Sequence, residues 1–278
     1  MYSGTEKAVD WMTRLITEWV RQVIDNLNDY DNQLKECFNY SLLDLAASTV
    51  RINPWDLQKQ ICCLKVAVVP ITAGQGIISD FAQSVAAIIK YLGASVIVTE
   101  QTDVCGIFEA YQEGSDVIFM ADDIRYIAFN CHNGKMAENN DKTALGYSCA
   151  LAKAVGGLKG KKILLIGLGL VGKSALKHLK NMGAECILYD TNSDLLAEYA
   201  KNGYAVINDK KEISGYQYIF EATPCGEWLS ADLLQSAKMI VSPGVPCCLD
   251  VQSRSRYKHH FINDYLEIGT AAMLAGVL

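Results

Sequence analysis

The stretch that most limits what this chain can fold into is Lys161-Lys162-Ile163-Leu164-Leu165-Ile166-Gly167-Leu168-Gly169-Leu170-Val171-Gly172. An apolar run that passes directly into G-x-G-x-x-G reads as a buried strand, a tight turn and the start of a helix. Gly167 permits the turn, Gly169 lets the backbone approach a diphosphate, and Gly172 lets the helix pack close on the strand. Leu170 and Val171 then stand at the helix N-terminus, whose unpaired N–H groups favour an anion. The next apolar run, Cys186-Ile187-Leu188-Tyr189, ends in Asp190. It follows the glycines by about 20 residues, where a strand-end carboxylate accepts hydrogen bonds from the adenosine ribose and repels a 2′-phosphate. The pattern predicts a Rossmann unit with NAD, rather than NADP, as cofactor. The alternative is a glycine turn in some other α/β protein with an acid at Asp190 by chance.

Ahead of this unit the character of the chain changes near Lys65. Before it, Val9, Met12, Leu15, Ile16, Trp19, Val20, Val23, Ile24 and Leu27 recur at helical spacing. Leu34, Phe38, Leu42, Leu43 and Leu45 continue the pattern after a polar break at 28–32. Two amphipathic helices are expected, closed by Asn53-Pro54. They cap the neighbouring core, and a cap of this kind also offers apolar contacts to a substrate. From Lys65 strand and helix alternate: Val66–Ile71, a helix over Phe81 to Leu92 capped by Ser79, Ser95–Thr99, Ile107–Gly114 and Val117–Met120. This small βαβαβ unit predicts parallel strands whose carboxyl ends form a crevice. Thr72-Ala73-Gly74-Gln75-Gly76 follows its first strand, and Asp122-Asp123 follows its third.

Adjacent residues of an extended strand point to opposite faces, so one of the two acids, Asp122, is expected to face the crevice. There it could hold an ammonium or take its proton; a turn-forming or helix-capping role is the equal alternative. Residues 130–140 read as a polar loop between the two units, and a helix is expected from Thr143. Lys135 in that loop suits a base or a carboxylate binder, or a solvated turn. Beyond Asp190, strands at Tyr216–Glu221, Met239–Val241 and Phe261–Ile262 each end in a turn. Ala222, Thr223, Pro224, Pro243 and Asp264 lie in those turns, at the carboxyl edge where the nicotinamide half of a cofactor passes. The fold class expected is α/β: an N-terminal helical segment with a small α/β substrate portion over 1–142, and a C-terminal Rossmann domain with a parallel sheet over 143–278.

Composition excludes several functions. A net charge of −6 offers no basic field for nucleic acid. No apolar run reaches the roughly 20 residues that span a bilayer. The ten cysteines include adjacent pairs, Cys62-Cys63 and Cys247-Cys248, and no C-x-x-C. They read as reduced thiols of a cytoplasmic protein without a metal site.

Pro70-Ile71-Thr72, Gly74-Gln75-Gly76-Ile77-Ile78, Met120-Ala121-Asp122-Asp123, Asn133-Gly134-Lys135, Gly167-Leu168-Gly169, Phe220-Glu221-Ala222-Thr223-Pro224-Cys225 and Ile268-Gly269-Thr270-Ala271 occur in one order. Together they resemble the family of NAD-dependent dehydrogenases that perform the last step of pyrrolysine biosynthesis. The resemblance runs from about Cys63 to the last residue and is weaker before it. It implies a small-molecule substrate, 3-methylornithine joined by an amide to the side-chain amine of lysine. NAD takes hydride from the carbon bearing the terminal amine, and the α-amine closes a pyrroline ring with loss of ammonia. The resemblance further implies that Ile78 and Phe81 line the substrate pocket beside Asp122, with Asn139 near the amine or nicotinamide, and that an N-terminal contact falls near Leu15 or Ile16. Phe129 stands where the family has a polar aromatic residue, so no histidine relay is expected there. Two rivals remain on the residues alone: another amino-acid or imine dehydrogenase on the same plan, and a non-catalytic NAD-binding module.

Overall fold

A computed structural model describes residues 15–278, so Val9 and Met12 of the first expected helix lie outside the described residues. From Leu15 on, helical spacing produces α1 (Thr17–Phe38), which buries Val20, Val23, Leu27 and Leu34. The break expected at 28–32 does not occur. α1 continues through it because Asp31 turns inward and finds partners. Its carboxylate accepts the Leu42 N–H and the Tyr91 hydroxyl, each at 2.6 Å, and meets Lys35 Nζ at 2.6 Å. The helix stops instead at Asn39, in the left-handed conformation, and Ser41 opens α2 (Leu42–Val50) with a capping box to Asp44. Asn53-Pro54 starts a further helix rather than closing the segment. In α3 (Pro54–Ile61), Asn53 accepts the Trp55 N–H, and a proline in the first turn has no needed N–H to lose.

The first sheet has β1 (Lys65–Pro70), β2 (Ser95–Val98) and β3 (Val117–Ala121) in parallel, joined through α4 (Phe81–Tyr91) and α5 (Asp103–Gln112). α4 follows Asp80 in the left-handed conformation, so Ser79 is not its cap. Period-two alternation divides the sheet between two layers. Val66, Val68 and Phe119 enter the core with α4, while Ala67, Val69 and Ile118 pack with Ala110 of α5. β4 (Tyr126–Asn130) and β5 (Met136–Glu138) add an antiparallel hairpin, giving the order β2-β1-β3-β4-β5. Part of the expected polar loop is therefore strand. Asn130 is buried because its Oδ1 accepts the His132 and Asn133 N–H groups and its Nδ2 donates to the Val277 carbonyl. α6 (Asn139–Ala154) begins ahead of Thr143, capped by Glu138.

The second sheet contains β6 (Lys162–Ile166), β7 (Glu185–Tyr189), β8 (Ala205–Val206), β9 (Tyr218–Glu221), β10 (Met239–Val241) and β11 (Phe261–Ile262). Their order, β11-β10-β9-β6-β7-β8, is wholly parallel and is that of a Rossmann unit. α7 (Leu170–Asn181), α8 (Ser193–Lys201) and α9 (Val251–Arg256) lie among its connections. The last helix, α10 (Glu267–Gly276), leaves this sheet and packs on α6, α2 and α4, beside the hairpin of the first. Because it is buried on every side it is largely apolar, from Ile268 to Leu274 and Ala275, with the one hydroxyl in that stretch, that of Thr270, bonded to the Tyr126 hydroxyl. Among the described residues no helix is long and apolar enough to cross a membrane.

Asp31 yields a stability test. Replacing it by Ala leaves the Leu42 N–H and Tyr91 hydroxyl without their acceptor, at a cost of about 1–3 kcal/mol for the orphaned groups. Urea unfolding of Asp31→Ala should show the lower midpoint; an unchanged midpoint would assign the straight α1 to apolar packing alone.

Candidate functional site

The turn after β6 has the geometry that its glycines predict. Gly167 has φ +86, and a Cβ on Gly172 would lie 1.9 Å from the Gly167 carbonyl oxygen, so α7 can pack on the strand only with glycine there. A Cβ on Gly169 would meet nothing within 4 Å, and this residue opens onto a cavity. Gly169 is the N-cap of α7 and supplies no side-chain cap, and the first turn carries no acid. The N–H groups there are left for an anion, so the residues present fit a dinucleotide diphosphate. Asp190 follows β7 and fastens the turn from outside: its Oδ2 accepts the Leu168 N–H at 2.7 Å and its Oδ1 the Asn192 N–H at 2.9 Å.

The cavity, of about 380 Å³, is reached from the carboxyl edges of both sheets. The Rossmann side contributes Gly169, Leu170, Val171, Ala222, Thr223, Pro224, Pro243 and Asp264; the other side contributes Leu15, Ile78, Phe81, Asp122 and Asn139. Gly167, Gly172 and Asp190 stand behind this surface. Ile16 is 45% exposed and outside it, as is Lys135, whose Nζ reaches the Leu278 main-chain oxygen. Phe81 meets Tyr126 edge to face, ring centroids 5.5 Å apart, to form an apolar wall. Among the described lining residues the carboxyl side chains are those of Asp122, Asp123 and Asp264, and there is no lysine, arginine or histidine.

Both acids of the Asp122-Asp123 pair line the cavity, not one. The alternation expected of an extended strand fails because β3 ends at Ala121 and the backbone turns. Asp122 Oδ1 accepts the Ile124 and Arg125 N–H groups, each at 2.7 Å, and its N–H donates to the Arg125 carbonyl. Asp122 therefore forms a turn and faces the cavity at once. Asp123 accepts the Gln75 N–H and holds the loop after β1, and Asp103 accepts the N–H and hydroxyl of Thr72 at its other end.

Two further acidic residues, Glu221 and Glu267, escape a reading of residue types. Glu221, fully buried, accepts from the Thr223 N–H and hydroxyl, from Trp228 Nε1 at 3.4 Å and from the Ser242 hydroxyl at 2.8 Å. It ties together the turns after β9 and β10, and burial pushes its carboxyl pKa up. Its signal in the sequence is an ionisable residue ending an apolar strand.

At the end of β11, Asp264 is 7% exposed. Its Oδ2 accepts the Tyr30 hydroxyl at 2.8 Å and the Ile268 N–H at 3.3 Å, and its N–H donates to the Tyr147 hydroxyl at 2.8 Å. Glu267, also buried, accepts the Tyr265 and Leu266 N–H groups. Burial first, and repulsion from Glu267 second, hold the Asp264 carboxyl far above the usual carboxylate range, and burial raises Glu267 as well. Their signal is a pair of acids at i, i+3 immediately before an apolar helix. Tyr30 and Tyr147 read as core positions, and nothing in their local sequence marks them otherwise.

The chain matches the model of the pyrrolysine biosynthesis protein PylD, N-terminal domain, over residues 19–137, and that of the alanine dehydrogenase/PNT C-terminal domain over residues 134–215. The pyrrolysine synthase of Methanosarcina barkeri is 37% identical over 214 residues, covering 77% of this chain and 81% of its own. That of Methanosarcina acetivorans is 36% identical over 217 residues, covering 78% and 83%. Among solved structures, the shikimate 5-dehydrogenase of Thermus thermophilus in complex with shikimate aligns at a TM-score of 0.50 with 13% identity, over 76% of this chain and 90% of that one. This last likeness shows a shared fold.

The raised Asp264 has a consequence for stability. A carboxyl whose folded pKa lies above its unfolded value stabilises the fold below the ordinary carboxylate range, and that contribution is lost as pH rises to about 8. Asp264→Asn keeps an acceptor for Tyr30 and cannot ionise. Thermal melts across pH should show this variant melting higher than the parent at pH 8, with the two converging near pH 4. Parallel melting curves over the whole range would show that Asp264 titrates normally.

Proposed function

The chain belongs to the pyrrolysine synthase family, and from that premise we propose that it oxidises, with NAD, the terminal amine of 3-methylornithine joined through an amide to the side-chain amine of lysine. The resulting imine or aldehyde is attacked by the α-amine of the same unit, closing the pyrroline ring of pyrrolysine and releasing ammonia. The observation that supports this reading is the cavity's charge. It is walled by apolar side chains, its described lining carries three acidic residues and no basic one, and it opens at the uncapped start of α7. Such a pocket suits an aliphatic chain bearing ammonium groups beside a dinucleotide.

In this reading residues 1–142 shape the substrate side and 143–278 the cofactor side, with α10 returning to the former. Asp122 holds the reacting ammonium through Oδ2, since Oδ1 is committed to its turn. Only a neutral amine releases hydride readily, so a carboxylate at that nitrogen both orients it and can take its proton. Leu15, Ile78 and Phe81 pack on the aliphatic chain and exclude water, and Asn139 supplies an amide to the amine or the nicotinamide. Gly169, Leu170 and Val171 present N–H groups to the diphosphate; Gly167 and Gly172 hold them there. Ala222, Thr223, Pro224, Pro243 and Asp264 flank the nicotinamide half, and Asp190 meets the adenosine ribose. When bound, the nicotinamide supplies the hydride acceptor. Ring closure then needs little beyond proximity, because nucleophile and electrophile belong to one molecule.

The deciding experiment mixes the purified protein with NAD and the lysine-linked methylornithine compound, follows NADH by absorbance and weighs the product. NADH formation with loss of ammonia and a ring-closed product is expected; oxidation of free ornithine or lysine instead would favour a general amino-acid dehydrogenase. Asp122→Asn should lower kcat at least about tenfold, roughly 1.4 kcal/mol of barrier, with NAD affinity little changed. Unaltered turnover would remove Asp122 from the chemistry. Asp190→Ala should weaken NAD and reduce discrimination against NADP, as measured by the two dissociation constants. Equal affinity of the parent for both cofactors would overturn the ribose assignment.

A further inference from the structure

We propose that Asp264 is the second proton acceptor of this site, taking the proton of one of the substrate's two ammonium groups while Asp122 takes that of the other. This rests on the proposed reaction, whose balance releases two protons. A substrate with an α-ammonium and a terminal ammonium reacts with NAD+ to give a neutral cyclic imine, NADH and ammonium ion. A C–H bond breaks with its electron pair passing to the nicotinamide, a C–N bond forms to the α-nitrogen, and the C–N bond to the departing nitrogen breaks. Charge then balances only with the release of two protons. Both amines must also be neutral when they act, one to release hydride and the other to attack.

The cavity offers few groups for this. Its described lining has no lysine, arginine or histidine, and Asp123 Oδ2 is bonded to the Gln75 N–H. Glu221 is sealed by its donors. Asp264 lines the cavity on the Rossmann side, whereas Asp122 lines it on the other. The groups facing Asp264 are the Tyr30 hydroxyl from α1, the Tyr147 hydroxyl from α6, and the Ile268 N–H and Glu267 carboxyl from α10. Burial raises both tyrosines, so they stay protonated and serve as hydrogen-bonding partners rather than bases. Tyr30 holds the Asp264 carboxyl in one orientation, and Glu267 is kept behind it by the Tyr265 and Leu266 N–H groups. A buried carboxyl beside a second acid binds a proton more tightly than an ordinary one, which brings its affinity closer to that of an amine and eases transfer between them.

Two readouts test this, one independent of turnover. Calorimetric titration of the protein with the lysine-linked methylornithine compound, without NAD, at pH 7 in buffers of different ionisation enthalpy counts the protons exchanged. The parent should release about one proton per substrate bound, because an ammonium displaces the proton held at Asp264. Asp264→Asn should bind with little release. In turnover, Asp264→Asn should lower kcat at least about tenfold and lose the acid limb of the kcat/KM pH profile. Tyr30→Phe, which removes a donor to the carboxylate, should move that limb to higher pH. A parent that turns over, beside an Asp264→Asn variant with the same proton release and acid limb, overturns the role of Asp264 alone. A parent that binds with proton release but forms no NADH overturns the proposed reaction and leaves the proton count to judge Asp264. No binding by the parent overturns both.

Discussion

The crossing of α10 over α6 is the contact on which the rest of the site depends. It is made close by small residues: a Cβ on Gly146 would lie 2.5 Å from Ile268 Cγ2, and one on Gly269 would lie 2.5 Å from Thr143 Oγ1. At ordinary helix separation neither residue need be glycine; at this one both must be. α10 follows β11 of the second sheet yet packs among helices of the first, so the chain's last element joins the two. The N-terminal end of α10 is thereby fixed at the cavity wall, which Asp264 lines. Ile268, Met273 and Leu274 are fully or almost fully buried in this contact, each burial worth about 1.5–3 kcal/mol.

That position sets the electrostatics. Among the described residues no cation pairs with the buried Asp264 and Glu267, and what tempers their charge is the N–H groups around the start of α10 together with the Tyr30 hydroxyl. Hydrogen bonds and a helix terminus lower a carboxyl's pKa by less than burial raises it here, so the pair retains a proton that ordinary acids would have lost. The fold carries this destabilisation at the cavity wall, and strongly perturbed carboxyls of this kind are common at functional sites.

Much of this was legible in the residues because it depends on local geometry. The glycine turn, the parallel strands of the second sheet and the turns at Ala222–Pro224 and Pro243 follow from short-range rules, and the structure brings them to one cavity with Leu15, Ile78, Phe81, Asp122 and Asn139. What escaped depends on distant partners. Asp31 looked like part of a helix break because the groups that donate to it, on Leu42 and Tyr91, are remote from it in sequence. The stretch from Asn130 through β5 looked like a loop because the polar Asn130 that anchors the hairpin is satisfied by Val277. Tyr30 and Asp264 meet across most of the chain. No local pattern records such a meeting.

Glu221 shows how the two sides are kept in register. A Cβ on Gly244 would lie 2.2 Å from the Thr223 carbonyl oxygen, so the turns after β9 and β10 touch backbone to backbone, and Glu221 bonds to Thr223 and Ser242 from beneath. Asn263 adds a third strand end to the group, its Nδ2 donating to the Ser242 and Gly244 carbonyls. Three consecutive strand ends are thus tied by side chains whose partners are backbone or hydroxyl groups. The loop after β1 is tied in the same way by Asp103 and Asp123. Polar groups bound at both ends of a loop limit its movement more than apolar contact does, because each hydrogen bond has a direction. The cavity is therefore shaped before any ligand arrives, and the ordering cost that a flexible site would charge against binding has already been met in folding.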